Sequence, residues 1–241
     1  MATADLAILV RGAQAWNLTL TADQQQQFGQ YQSLLLAWNE QMNLTAVTDP
    51  VAVQSRHFLD SLSCTLVTGS LNGHSLIDVG TGAGFPGIPL KIVFPDLQLT
   101  LVESIGKKCR FLETAVTELG LKQVSILNER VELLGRDPAH REQYDWAVAR
   151  AVAALPVLAE YLLPLCRMGG AMLAMKGESA VSELATAEAA VQTLGGGDAR
   201  WQPVTLPGES SSRYLIAVPK SSPTPDKYPR RPGIPAKRPL R

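Results

Sequence analysis

Residues 76–91 read LIDVGTGAGFPGIPLK, and how this stretch is read decides the fold. A short apolar run, Leu76, Ile77 and Val79, carries one acid, Asp78, and then breaks into glycines at Gly80, Gly82, Gly84 and Gly87. The pattern predicts a strand that enters a loop. Glycine accepts positive φ and has no Cβ, so closely spaced glycines let the backbone turn sharply and lie against a ligand. Pro89 then suits the first turn of a helix, where a missing N–H is of little consequence. The predicted unit is strand, glycine loop, helix.

Two cofactors suit such a loop. Gly82, Gly84 and Gly87 match the spacing of a dinucleotide-binding loop, and Glu103 closes the next apolar run, LTLVE, about 20 residues on, where a ribose-binding acid belongs. Asp78 favours the other candidate. A carboxylate at the mouth of the loop repels a pyrophosphate but attracts the ammonium of the methionine moiety of S-adenosylmethionine (SAM). The series Asp78, Gly80, Gly82, Gly84 resembles the first motif of class I SAM-dependent methyltransferases, with Glu103 in the place of the acid that holds the ribose hydroxyls.

The chain has 241 residues, 46% of them hydrophobic, enough for one α/β domain with extensions. No apolar run is long enough to span a bilayer, and residues 1–12, MATADLAILVRG, lack the basic start and cleavage pattern of a secretory signal. A cytoplasmic protein is expected. Cys64, Cys109 and Cys166 are far apart and form no CxxC pair, so they read as buried thiols and no metal site is expected. Formal net charge is zero, but it is unevenly spread: residues 219–241 hold seven basic residues against Asp226, a net +6, leaving −6 for the rest. Such asymmetry suits a polyanionic partner, and equally a solvated basic tail.

Read in order, the chain divides into an N-terminal helical extension (1–70), a central domain (71–219) and a basic, proline-rich tail (220–241). Helices are predicted over 5–12 and 21–41, the second with a Thr21 or Asp23 cap and apolar residues at Phe28, Tyr31, Leu35 and Trp38. Asn43 and Thr45 suit a loop that bonds its own backbone. A third helix, 50–66, carries His57 and Asp60 on one face, a spacing more often structural than catalytic. From residue 76 strands and helices alternate, with strands over 76–79, 97–103, 124–128, 144–149 and 171–175. Runs at 201–206 and 214–219 close the series as an antiparallel pair, giving seven strands. The prediction is a Rossmann-like α/β sheet with helices on both faces. Asp78, Glu103, the Arg130 to Glu132 turn and Arg150 should then converge at the carboxyl ends of the strands. Seven of the 16 prolines lie beyond Val218, so the tail is expected to lack regular structure and to lie along the surface or the substrate.

Methyl transfer from a sulfonium is an in-line displacement, and an acceptor with a free lone pair needs positioning more than a base. The sequence holds neither an Asn-Pro-Pro-Tyr or Asp-Pro-Pro-Tyr quartet, as exocyclic-amine methyltransferases do, nor a Pro-Cys pair of the kind used against pyrimidine C5. A ring nitrogen such as guanine N7 needs neither. Arg130, Arg150 and Lys176 are the positioning candidates, suited to holding phosphate or the O6 and N7 edge of a guanine, or to surface ion pairs.

Five segments together resemble one family over nearly the whole chain: NLT at 43–45, HFLDSL at 57–62, DVGTGAGFPGIPLK at 78–91, ARAVA at 149–153 and KYPR at 227–230. They are similar to glucose-inhibited division protein B, the bacterial small-subunit (16S) ribosomal RNA guanine-N7 methyltransferases. The resemblance implies a seven-stranded class I SAM-dependent methyltransferase sheet with an N-terminal helical extension, and a guanine target in a decoding-region hairpin. It implies cofactor contacts at Gly80, Phe85, Glu103, Ser104, Val131, Glu132 and Arg150, to which the reading of the glycine loop adds Asp78, Gly82 and Gly84. Asn43, Arg130, Lys176, Lys227 and Arg230 become candidates for RNA contact. The partner expected is small-subunit rRNA or its ribonucleoprotein particle, and the protein is expected to act as a monomer.

Two other readings stay open on sequence alone. A NAD-dependent oxidoreductase would need a hydride-transfer acid or base beside the nicotinamide, for which the chain offers no convincing candidate. A binding module with a vestigial fold would contact RNA without turnover, and would show no affinity for SAM.

Overall fold

A computed structural model describes residues 5–209 and 211–240; Arg241 of the basic tail lies outside them. In chain order the elements are α1 (Ala7–Ala15), α2 (Ala22–Asn39), α3 (Pro50–Val53), a π-turn (Gln54–Leu59), α4 (Asp60–Leu62), α5 (Thr65–Thr68), β1 (Ser75–Val79), α6 (Gly87–Val93), β2 (Gln98–Val102), α7 (Gly106–Glu118), β3 (Val124–Leu127), α8 (Val131–Leu134), β4 (Tyr144–Arg150), α9 (Leu155–Leu162), β5 (Cys166–Lys176), α10 (Ala180–Thr193), β6 (Arg200–Val204), β7 (Arg213–Pro219) and α11 (Ile234–Lys237). The strands form one sheet in the order β3-β2-β1-β4-β5-β7-β6. β1 to β5 run parallel, whereas β7 is antiparallel to both of its neighbours, β5 and β6. The predicted seven strands and closing antiparallel pair are therefore present.

Period-2 side-chain alternation sorts each strand between two cores. Leu76, Leu99, Leu101, Val148, Leu173 and Leu215 face one core, which α1, α2, the π-turn, α6 and α7 cover with Leu9, Phe28, Tyr31, Phe58, Ile88 and Phe111. Ile77, Val79, Ala147, Met172 and Ile216 face the other, covered by α8, α9 and α10. The N-terminal extension thus shares its core with the sheet. Its α2 starts where a capping box forms: Thr21 Oγ accepts from the Gln24 N–H while the Gln24 side chain accepts from the Thr21 N–H.

Three sequence expectations change. The third helix is not continuous α-helix; the π-turn interrupts it, as π-turns often do near functional sites. β5 begins earlier than predicted, at Cys166, because Gly169 and Gly170 continue the strand. The tail is neither irregular throughout nor loosely laid on the surface. Thr224, Tyr228 and Pro229 are buried and α11 forms, because donors from the body satisfy the backbone carbonyls that its prolines leave unpaired. Arg136 donates to the carbonyls of Pro229 (2.7 Å) and Lys227 (3.0 Å), and Arg141 to those of Tyr228 (2.8 Å) and Thr224 (2.6 Å). The three cysteines are buried and unpaired. Among the described residues, no helix is long and apolar enough to cross a membrane.

Candidate active site

The loop after β1 folds back over the ends of β1 and β2. Gly80, Gly82 and Gly84 have φ of +67°, +61° and +94°, and the N–H groups of Gly80 and Thr81 donate to the Val102 carbonyl at 2.9 and 3.1 Å. At Gly80 the left-handed φ coincides with close packing, since a Cβ there would stand 2.6 Å from Val152 Cγ2. Asp78 does not reach the mouth of the loop as the sequence suggested. It is wholly buried beneath it, where Oδ2 accepts from Thr81 Oγ1 (2.6 Å) and the Gly87 N–H (2.8 Å) and Oδ1 has no partner. Burial pushes the Asp78 carboxyl up to about 6, against these hydrogen bonds and the pull of Arg150.

Glu103, just beyond β2, is buried and spans two loops, Oε2 accepting from the Gly82 N–H (3.2 Å) and Oε1 from the Ile105 N–H (2.9 Å). Beside it opens a crevice of about 240 Å³ that brings together Gly80, Ser104, Arg130, Val131 and Glu132 with Tyr161 and Ala236. Glu132 is almost fully buried; Oε1 accepts from the Gly233 N–H at 2.8 Å, whereas Oε2 has no partner. An unpartnered buried carboxylate oxygen is costly unless a donor arrives.

Arg150, at the end of β4, points elsewhere. It lines a second cavity of about 450 Å³ with Arg56, His57, Asp60, Lys176 and Arg213. The predicted convergence therefore fails in part: the Arg130 to Glu132 turn lines the first cavity, Arg150 the second, and the buried Asp78 and Glu103 line neither. The divider is the segment after β4: Ala151, at φ +56°, lines the second cavity, while Val152 and Ala153 line the first. The second cavity is basic, and its acid is held by cations, Asp60 lying 2.8 Å from Arg150 and 3.7 Å from Arg213. Lys176 Nζ donates to the Ala153 carbonyl (3.0 Å) and pairs with Glu183 (2.8 Å).

Phe85 lines neither cavity. Its ring is buried, stacked on His57 at 4.5 Å and under the Arg150 guanidinium at 5.0 Å, and it packs on Tyr31, whose hydroxyl donates to the Ala83 carbonyl. His57 is bonded at both ring nitrogens, Nε2 to Thr45 Oγ1 (2.7 Å) and Nδ1 to the Arg56 carbonyl (3.1 Å). These partners fit a neutral ring protonated at Nδ1. Burial, and then Arg150, pull its pKa down to about 4.

The expected RNA contacts fare unequally. Asn43 and Lys227 are exposed, and the Lys227 ammonium lies 5.2 Å from the Tyr228 ring. Arg130 is half exposed, 3.3 Å from Glu132. Arg230 is a correction: its guanidinium is turned inward onto Glu160, a carboxylate with no exposed side-chain surface, at 2.6 Å. With Lys220, whose buried ammonium pairs with Glu142 at 3.1 Å, the basic tail therefore has two cations fewer to offer than its composition implies. Sequence reasoning missed Arg56, Arg213, Tyr161 and Ala236; Glu160, a lone acid in the apolar run LPVLAEYL of α9, was the available signal for an inward-facing cation.

A family model described as "GidB: rRNA small subunit methyltransferase G" matches residues 24–207. A "Ribosomal RNA small subunit methyltransferase G" from Roseiflexus sp. (strain RS-1) is 51% identical over 233 residues, covering 97% of this chain and 99% of its own length. Among solved structures, a predicted O-methyltransferase from Agrobacterium tumefaciens superposes with a TM-score of 0.55 at 19% identity, over 68% of this chain and 81% of the other. A SAM-dependent O-methyltransferase from Thermotoga maritima gives 0.54 at 14% identity, over 79% of this chain and 73% of that one. At these identities the structures establish the fold.

Proposed function

The chain belongs to the GidB family, the small-subunit rRNA methyltransferases G, and from that premise we propose that it transfers a methyl group from SAM to N7 of a guanine in a decoding-region hairpin of 16S rRNA. It is a SAM-dependent rRNA methyltransferase; the atom and the hairpin are the proposal. The observation that carries N7 is the chemistry of the second cavity. Asp60 is held there by guanidiniums, and His57 is neutral with both nitrogens engaged, so neither is poised to take a proton. Guanine N7 has an in-plane lone pair and no proton to lose. An acceptor of that kind needs orientation and charge balance rather than a base.

The crevice beside the glycine loop suits the cofactor. It is lined by Gly80, Ser104 and Glu132, with Glu103 beside it, and offers an unpartnered acceptor, Glu132 Oε2, for which adenosine carries amino and hydroxyl donors. When bound, SAM supplies a methyl group activated by its sulfonium. In this reading Gly80, Gly82 and Gly84 receive the methionine and ribose portions, and Glu103 and Ser104 the ribose hydroxyls. Val131 and Glu132 take the base. Asp78 holds the loop in shape from beneath, and Phe85 supports Arg150 at the divide between the cavities. Arg150, Lys176 and Arg213 steady the phosphate and the O6 edge of the incoming nucleotide, with Asn43, Arg130 and Lys227 further out on the RNA backbone. Residues 1–70 and the tail frame the domain of residues 71–219, acting as a monomer in the cytoplasm on small-subunit rRNA or its assembling particle.

The deciding experiment transfers labelled methyl groups from SAM to undermethylated small subunits and cleaves the RNA with borohydride and aniline at N7-methylguanine. One new cleavage in the decoding-region hairpin is expected. Label without cleavage would remove N7, and cleavage elsewhere would remove the hairpin.

A further inference from the structure

The tail does more than cover the body. After the anchoring bonds from Arg136 and Arg141, the Arg230 N–H and guanidinium both bond Glu160 Oε1, at 2.7 and 2.9 Å, with a second guanidinium bond to Oε2 at 2.6 Å. Glu160 lies on α9, next to Tyr161, which lines the first crevice. Three residues beyond the clamp the chain turns at Gly233, φ +80°, and its N–H meets Glu132 Oε1. Glu132 Oε1 is thus held by the tail, with a longer bond from Arg130 at 3.3 Å, while Oε2 stays buried and unpartnered. Ala236, on α11, then forms part of the crevice wall opposite the glycine loop.

We infer that residues 230–236 are a positioning segment of the cofactor site, with Arg230 as its fastener, Gly233 as the donor that orients Glu132, and Ala236 as wall. This rests on the reading of the first crevice as the SAM site. A carboxylate fixed through one oxygen presents the other in one direction, which lowers the conformational entropy lost when a donor binds. Without the tail, Glu132 Oε1 keeps only the 3.3 Å bond from the half-exposed Arg130, and the crevice loses a side.

Two measurements test this with S-adenosylhomocysteine as the probe. In Ala236→Cys, an exposed and sterically mild change, the rate of thiol labelling by a disulfide reagent is followed against the wild-type background of buried cysteines. Saturating S-adenosylhomocysteine should slow it at least fivefold, and an unchanged rate overturns the wall. A chain ending at Arg231 keeps the clamp but loses Gly233 and Ala236. Its dissociation constant by calorimetry should rise at least tenfold with the unfolding midpoint of the free protein nearly unchanged; a constant within twofold of wild type overturns the positioning role. Should that chain not fold, the labelling result decides alone. A wild-type protein with no affinity for the probe would instead remove the cofactor reading itself.

Discussion

Arg230 closes on Glu160 through both of its carboxylate oxygens, and Glu160 has no exposed side-chain surface while Arg230 retains about a quarter of its own. A pair of this kind is weak evidence for net stability, but removing one partner leaves an uncompensated buried charge. Arg230→Ala should therefore destabilise the protein by about 3 kcal/mol in chemical denaturation, the low end of the range for broken buried pairs. Arg230→Met combined with Glu160→Leu should recover most of that loss. A single variant as stable as wild type would show that the guanidinium is free for RNA after all.

Gly80 meets Val152, on the segment that divides the cavities, within the first of them. Gly80→Ala adds a Cβ at 2.6 Å from Val152 Cγ2 and places a side chain at φ +67°; the backbone term alone is about 1 kcal/mol. The affinity for S-adenosylhomocysteine should fall about tenfold, the factor that 1.4 kcal/mol produces. Adding Val152→Ala should restore about threefold by removing the clash but not the strain. A double variant no better than Gly80→Ala would show that the contact between loop and divider is irrelevant to binding.

Asp78 makes a pH prediction of known sign. Its folded pKa, about 6, lies above the ordinary value of 3.8, so the unfolded chain gives up the proton first. The contribution to stability is complete below about pH 4 and is lost as pH rises through 6, by about 3 kcal/mol. Asp78→Asn retains an oxygen to accept from Thr81 and Gly87 without the charge. Plotted against pH, the stability of wild type relative to Asp78→Asn should fall between pH 4 and 6 and level off above. A flat or rising difference would contradict the burial of an ionising group at this position.

Much of this architecture is legible in the sequence because strands buried on both faces read as apolar runs, and glycines mark where such a run must turn. Leu76, Ile77 and Val79 followed by Gly80 place β1 and its loop, and the Thr21 or Asp23 cap signal announces α2, Thr21 being the residue that caps it. Other features depend on long-range partners that no local pattern encodes. Proline enrichment suggests a tail without regular structure, and so hides α11, the packing of Tyr228 and the clamp at Arg230, which exist because Arg136, Arg141 and Glu160 supply the bonds. The π-turn, an i→i+5 register set inside a helical run, is not signalled by residue type. The division into two cavities hangs on one left-handed residue, Ala151, a conformation that alanine does not advertise.

His57 sits where a general base would be sought, in the wall of the second cavity and against Phe85, yet its environment argues for a neutral spacer. With a folded pKa near 4 against an ordinary 6.5, the unfolded chain takes up the proton first. Its contribution to stability is complete above about pH 6.5 and is lost as pH falls toward 4, by about 3 kcal/mol. This slope is opposite in sign to that of Asp78. Methyl transfer under single-turnover conditions should accordingly show no limb from His57 between pH 5.5 and 8. His57→Phe keeps the stacking on Phe85 and loses the bond to Thr45, so the rate should drop by less than tenfold and the pH profile should keep its shape. A rate loss of a thousandfold, or a limb near pH 6 that disappears in the variant, would make His57 a base and would count against an acceptor that carries no proton.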